Sequence, residues 1–140
     1  MALRPENIWW TDDGRVVLTD LGLARVEGLS SRTASSLLLE ASPYQSPEQV
    51  LQTVVDQRSD VYAVGTILWH ACAGALPFGD GHALLREHRP LPNLRALRSD
   101  IPESWADFIP RCIEENVESR PQSVVDLAFV LRGGSLALDQ

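Results

Sequence analysis

Only 2 cysteines, Cys72 and Cys112, occur in 140 residues. They are too few for a disulfide scaffold, and their spacing suits no zinc site, so both read as reduced packing residues. Basic charge is also scarce. Lys and Arg total 12 against 19 Asp and Glu, for a formal charge of −7, which leaves no footprint for nucleic acid. No basic-then-apolar leader opens the sequence and no internal repeat is visible, so a cytoplasmic location is expected. The one long apolar run, VYAVGTILWHACAGALPF at 61–78, is too short for a membrane span. Gly74 and Pro77 should stop its helix after ~14 residues, or ~21 Å, where a bilayer core needs ~30 Å. His70 within the run also argues against lipid.

A hydrophobic content of 44% with 22% charged residues supports one folded domain or part of one. NIWW (7–10) and RVVLT (15–19), rich in β-branched and aromatic residues, flank the turn sequence TDDG (11–14) and predict a β-hairpin. Residues 23–42 are dense in Ser and Thr and carry no sustained helical or strand period. Ser46-Pro47-Glu48-Gln49 reads as a helix start, with Pro and an acid in the first turn. Ser59 or Asp60 is the expected cap of a long apolar helix running to Ala73. A short helix is expected around His82 to His88. Trp105, Phe108, Ile109, Cys112 and Ile113 recur at helical spacing within residues 102–116, where Pro110 should kink the helix or loosen a turn. Residues 122–132 form a last helix, stopped by Gly133 and Gly134. His70, His82 and His88 make no spaced ligand set and read as packing or surface residues.

The apolar residues of the long helix do not keep to one stripe. Val61, Tyr62, Ala63, Val64, Ile67, Leu68, Trp69 and Ala71 go nearly all round it, and such a helix needs neighbours on every side. The later helices cover part of it. A segment upstream, or a protein partner laid over the uncovered side, is expected to supply the rest.

LRPEN (3–7), Asp20-Leu21-Gly22, Ser46-Pro47-Glu48 and DQRSDVYAVGTILW (56–69) together resemble the C-terminal lobe of a Ser/Thr protein kinase, of bacterial character. Each piece alone is weak. The order and spacing of Asn7, Asp20, Glu48, Asp60 and Arg120 carry the resemblance, which covers residues 1 to about 132. It implies a fold that is mainly α with a small β-hairpin: the kinase large lobe, incomplete, over 1–132, followed by a tail at 133–140. No Gly-rich loop, strand Lys or partner Glu of the small lobe is found in the chain.

The resemblance also implies roles. Asn7 and Asp20 stand where the family holds the magnesium ions that bridge the ATP phosphates. Trp9 stands at the floor of the adenine pocket, where an indole could stack on the base or fill the space. Glu48 and Arg120 match a buried structural ion pair. Asp60 matches a residue that accepts hydrogen bonds from the catalytic-loop backbone, and Gly22 belongs to the same scaffold. The catalytic Asp, however, is replaced by Ala2, the Lys two residues later by Arg4, and the Thr that bonds to both by Ala41. A methyl group can neither orient a substrate hydroxyl nor accept its proton, and Arg is a planar fork rather than a compact ammonium. The usual phosphate-receiving Arg is Met1, so Ser30, Ser31, Thr33, Ser35, Ser36 and Ser42 read as solvated loop residues.

The function expected is a kinase-like domain without phosphotransfer, serving as a binding or regulatory module. Two alternatives stay open: a fragment of an ATP-dependent Ser/Thr kinase active only in a longer chain, and a gene remnant without function.

Overall fold

The computed structural model describes residues 3–19, 41–79 and 90–134. The expectations placed on Ala2, Asp20, Gly22, most of the Ser/Thr-rich loop and the short helix at His82–His88 lie outside the described residues.

A 3₁₀ turn, Pro5–Asn7, leads into strand β1, Ile8–Trp10, which pairs antiparallel with β2, Val16–Leu18. Ile8 faces Leu18, Trp9 faces Val17 and Trp10 faces Val16. The TDDG turn closes with Gly14 N–H donating to the Thr11 carbonyl at 2.9 Å, and the Thr11 side chain bonds Asp13. The expected hairpin is therefore present, and its large apolar side chains are exposed. Trp9 is 60% exposed and Trp10 75%, and Val16, Val17 and Leu18 are open as well. Because side chains alternate along a strand, both faces of the ribbon are apolar and wet.

Helix α1, Pro47–Val50, starts where Ser46-Pro47-Glu48-Gln49 predicts, with Ser46 N–H donating to Gln49 Oε1 at 3.0 Å. It ends on Gln52, which holds φ +55 while Thr53 N–H bonds the Glu48 carbonyl. A left-handed backbone disfavours a side chain. Gln52→Gly is therefore expected to raise unfolding stability by about 0.5–1 kcal/mol, read as a higher urea midpoint at unchanged slope.

The long helix α2, Gln57–Ala73, begins earlier than expected. Its cap is Asp56, whose Oδ1 accepts from Arg58 N–H at 2.8 Å, and not Ser59 or Asp60. Ser59 is unavailable because its hydroxyl donates to the Glu48 carboxylate. The helix stops as expected at Gly74, which takes φ +72 and donates to the His70 carbonyl. Among the described residues no helix is long and apolar enough to cross a membrane.

Helices α3, Leu94–Leu97, α4, Glu103–Cys112, and α5, Val124–Leu131, pack around α2. Two apolar clusters result. Tyr62 and Trp69 of α2 meet Leu94, Ile101, Ala106, Ile109 and Ile113. Val61, one residue round the helix, meets Phe108, Cys112, Leu127 and Val130. Facing two clusters is why α2 shows no single apolar stripe. Elsewhere on the helix the described residues give thinner cover: Ile67 is half-buried and Ala71 is exposed.

Helix α4 ends four residues before the expected Asn116. The Glu114 and Glu115 carbonyls turn instead to the Arg120 guanidinium, and Asn116 caps a 3₁₀ turn, Val117–Ser119. Pro110 lies inside α4, and the bonds after it, from Ile113 N–H to Pro110 and from Glu114 N–H to Arg111, have the tighter 3₁₀ pattern. Helix α5 starts at Val124 under a Ser123 cap, because Gln122 is held outside by its bonds to Arg120 and Arg58. The two glycines terminate it: Gly133, at φ +87, donates to Val130, and Gly134 donates to Phe129.

Candidate functional site

The residues that would face a nucleotide sit at the base of the hairpin. Pro5 presets the 3₁₀ turn, and Asn7 N–H closes it on the Arg4 carbonyl at 3.0 Å. Thr19 N–H then donates to the Asn7 carbonyl at 2.9 Å, holding the last described residue before Asp20 against Asn7. Leu3 is buried and anchors the entry to this loop, while Arg4 is exposed. The Thr19 hydroxyl oxygen is buried, with no hydrogen-bond partner among the described residues. Trp9 projects from the opposite ribbon face to Ile8 and Trp10, with its indole largely in solvent.

Two candidate magnesium ligands, one an amide and one a carboxylate, suit a hard cation that keeps most of its coordination for water and phosphate. Asn7 is described and half-buried; Asp20 is not among the described residues. Among those residues no group of three His, Cys, Asp or Glu could hold a metal ion.

The structural residues are clear. Arg120 Nη1 lies 2.7 Å from Glu48 Oε1 and Nη2 lies 3.0 Å from Oε2, a two-pronged pair. Ser59 donates to the same carboxylate at 2.5 Å. Arg120 further donates to the carbonyls of Glu114 at 2.7 Å, Glu115 at 3.2 Å and Arg58 at 3.2 Å, and its guanidinium lies 4.9 Å from the Tyr62 ring centre. Burial pushes the Glu48 carboxyl up, but Arg120 and Ser59 together outweigh it and hold the group down at about 2. Asp60 is half-buried and burial raises its carboxyl. Among the described residues no hydrogen bond reaches it, and residues 1 and 2 of the loop it is expected to serve lie outside them.

Ala41 is half-buried just ahead of a tight turn in which Gln45 N–H donates to the Ser42 carbonyl at 2.9 Å. The structure adds one pairing that spacing did not suggest. Tyr44 Oη lies 2.8 Å from His70 Nδ1, with the rings stacked at 6.3 Å. His70 is thus more than packing, and no local signal in either residue's neighbourhood marks the pair. Both cysteines are free thiols, and burial pushes Cys112 up to about 12, as befits a packing residue.

Comparison with known proteins agrees with this geometry. The family described as protein kinase domain matches residues 1–128. The serine/threonine-protein kinase PknL of Mycobacterium tuberculosis is 34% identical over 122 residues, covering 84% of this chain and 31% of that protein. The DNA damage-responsive serine/threonine-protein kinase RqkA of Deinococcus radiodurans is 34% identical over 133 residues, covering 91% of this chain and 20% of that protein. A probable serine/threonine-protein kinase PknB of Lactococcus lactis is 27% identical over 129 residues, covering 89% and 21%. The chain spans a third or less of the length of these curated relatives. Helices packed on a buried central helix, a two-stranded hairpin at the loop carrying Asn7, and an internal Glu48–Arg120 pair accompany that match, and the chain belongs to the protein kinase family, in its bacterial Ser/Thr branch.

Proposed function

We propose that this chain is a kinase-like module that binds or regulates and does not transfer phosphate. One contrast carries the reading: Ala2, Arg4 and Ala41 replace three members of a single hydrogen-bonded catalytic unit, while the two-pronged Glu48–Arg120 pair that maintains the scaffold is complete. Alanine offers no base to a substrate hydroxyl, and loss of positioning at the transferred phosphate removes most of what a kinase contributes to its reaction. Asn7, Asp20 and Trp9 are the residues that would hold magnesium and ATP, which when bound supply the phosphoryl group and its charge neutralisation.

The second reading, a portion of an ATP-dependent Ser/Thr kinase active in a longer chain, is favoured by the uncovered hairpin. Trp9, Trp10, Val16, Val17 and Leu18 form an apolar surface that a further lobe or a protein partner would cover.

Incubation with radiolabelled ATP, magnesium and casein tests the proposal on the chain as it stands and on the triple variant Ala2→Asp, Arg4→Lys, Ala41→Thr. No transfer above the protein-free blank is expected from the former. Label incorporated by the unaltered chain, and abolished by Asn7→Ala, would overturn the proposal, because the chain would then transfer phosphate by itself.

A further inference from the structure

Helix α5 ends in a stop that sets the chain over the outer face of the same helix. Gly133, at φ +87, donates to the Val130 carbonyl, and Gly134 donates to the Phe129 carbonyl. These are the two bonds of a Schellman stop, which brings the residue after the left-handed glycine against the one five positions earlier. Here the contact is close. A Cβ on Gly134 would collide with the Phe129 ring, so the bare Gly134 backbone crosses directly over that ring.

The same face has apolar surface left to cover. Leu127 and Val130 point into the core, whereas Phe129 is 49% exposed, Val125 is 72% exposed and Val124 is open as well. Val125 and Phe129 are four residues apart, so they share one face and stand ~6 Å apart along the axis. The six residues after Gly134 read Ser-Leu-Ala-Leu-Asp-Gln, 135–140, and lie outside the described residues. Their leucines alternate with Ser, Ala and Asp. In extended backbone alternate side chains fall on one side, ~6.6 Å apart. A chain leaving Gly134 above Phe129 and running toward the start of α5 would therefore carry Leu136 to the level of Val125. Leu138 would reach the first turn, where Val124 is open. Six extended residues span ~20 Å, enough to pass the whole of α5, which is ~12 Å long.

We propose that residues 135–140 lie back along α5 in extended form, with Leu136 seated between Phe129 and Val125 and Leu138 against the first turn. The tail closes the apolar outer face of the last helix to other chains. It holds an advantage over any separate chain, because Gly134 already tethers it on the face and its effective concentration there is high. This placement does not depend on whether the chain transfers phosphate.

Nuclear Overhauser spectra of the whole chain, with Leu and Val methyl groups labelled, test it. Cross-peaks are expected from Leu136 methyls to the Phe129 ring and the Val125 methyls, and from Leu138 methyls to Val124 or Val125. Val125→Ser, at an exposed position outside the core, should weaken the Leu136–Phe129 cross-peak at least roughly twofold by removing part of the apolar seat. The proposal is overturned if these cross-peaks are absent. It is equally overturned if they survive Val125→Ser unchanged, since the contact would then follow from the helix stop alone. Cross-peaks found only between differently labelled molecules in a mixed sample would give the face to a second copy and overturn it too.

Discussion

Arg120→Ala is expected to lower the stability of the folded chain by about 3–5 kcal/mol, enough to unfold much of it at room temperature. The side chain is completely buried against Glu48. Removing it leaves a buried carboxylate without its counter-charge, and frees the carbonyls of Glu114, Glu115 and Arg58 that Arg120 satisfies. Glu48→Ala should cost a similar amount, since the guanidinium would then be the charge without a partner. The paired variant Glu48→Met with Arg120→Met should be less damaged than either single variant, because apolar groups of similar volume carry no desolvated charge. Urea unfolding of the four proteins checks this. Single variants as stable as the parent would show that the pair is not a scaffold element.

The same pair sets an acid dependence whose sign follows from Glu48. Its carboxyl is held at about 2 in the fold, below its ordinary 4.5. The unfolded chain therefore binds the proton first, and the stabilisation is fully present above about pH 4.5 and lost as pH falls toward 2. Urea midpoints measured from pH 7 down to pH 2 should fall through that window in the parent, and the slope should flatten in the double-Met variant.

Gly65→Ala should be the other severe substitution, costing about 2–4 kcal/mol. A Cβ at Gly65 would lie 2.4 Å from the Cys112 Cβ and 3.1 Å from Ile113 Cγ2. The clash with Cys112 cannot be relieved by rotation about χ1, because a Cβ moves only with its backbone. The bare Gly65 is what lets α2 and α4 approach closely enough to bury Val61, Phe108 and Cys112 together. Cys112→Gly placed on Gly65→Ala should recover part of the loss by removing the colliding atom, although it also gives up a buried thiol. Thermal melts of the single and double variants decide the matter. A Gly65→Ala protein that melts with the parent would mean the two helices have room to part.

Local patterns carried much of this fold. The β-branched and aromatic residues around TDDG placed the hairpin, Ser46-Pro47 placed the start of α1, and Gly74, Gly133 and Gly134 placed two helix ends, because each depends on neighbours a few positions away. The motif spacing likewise anticipated the family and the Glu48–Arg120 pair. The cap of α2 and the early end of α4 were not legible. Ser59 and the carbonyls of Glu114 and Glu115 had long-range partners that outcompete their local hydrogen bonds.

By itself, then, the sequence determined the hairpin, the long apolar helix and the kinase kinship, all of which reside in residue identity and short spacing. Only the tertiary structure decided that Tyr44 would meet His70, that Gly65 would serve as a helix contact, and that both faces of the hairpin would remain in water. Those depend on which surfaces the packed helices bring together, and packing is a property of the assembled core rather than of any stretch of chain.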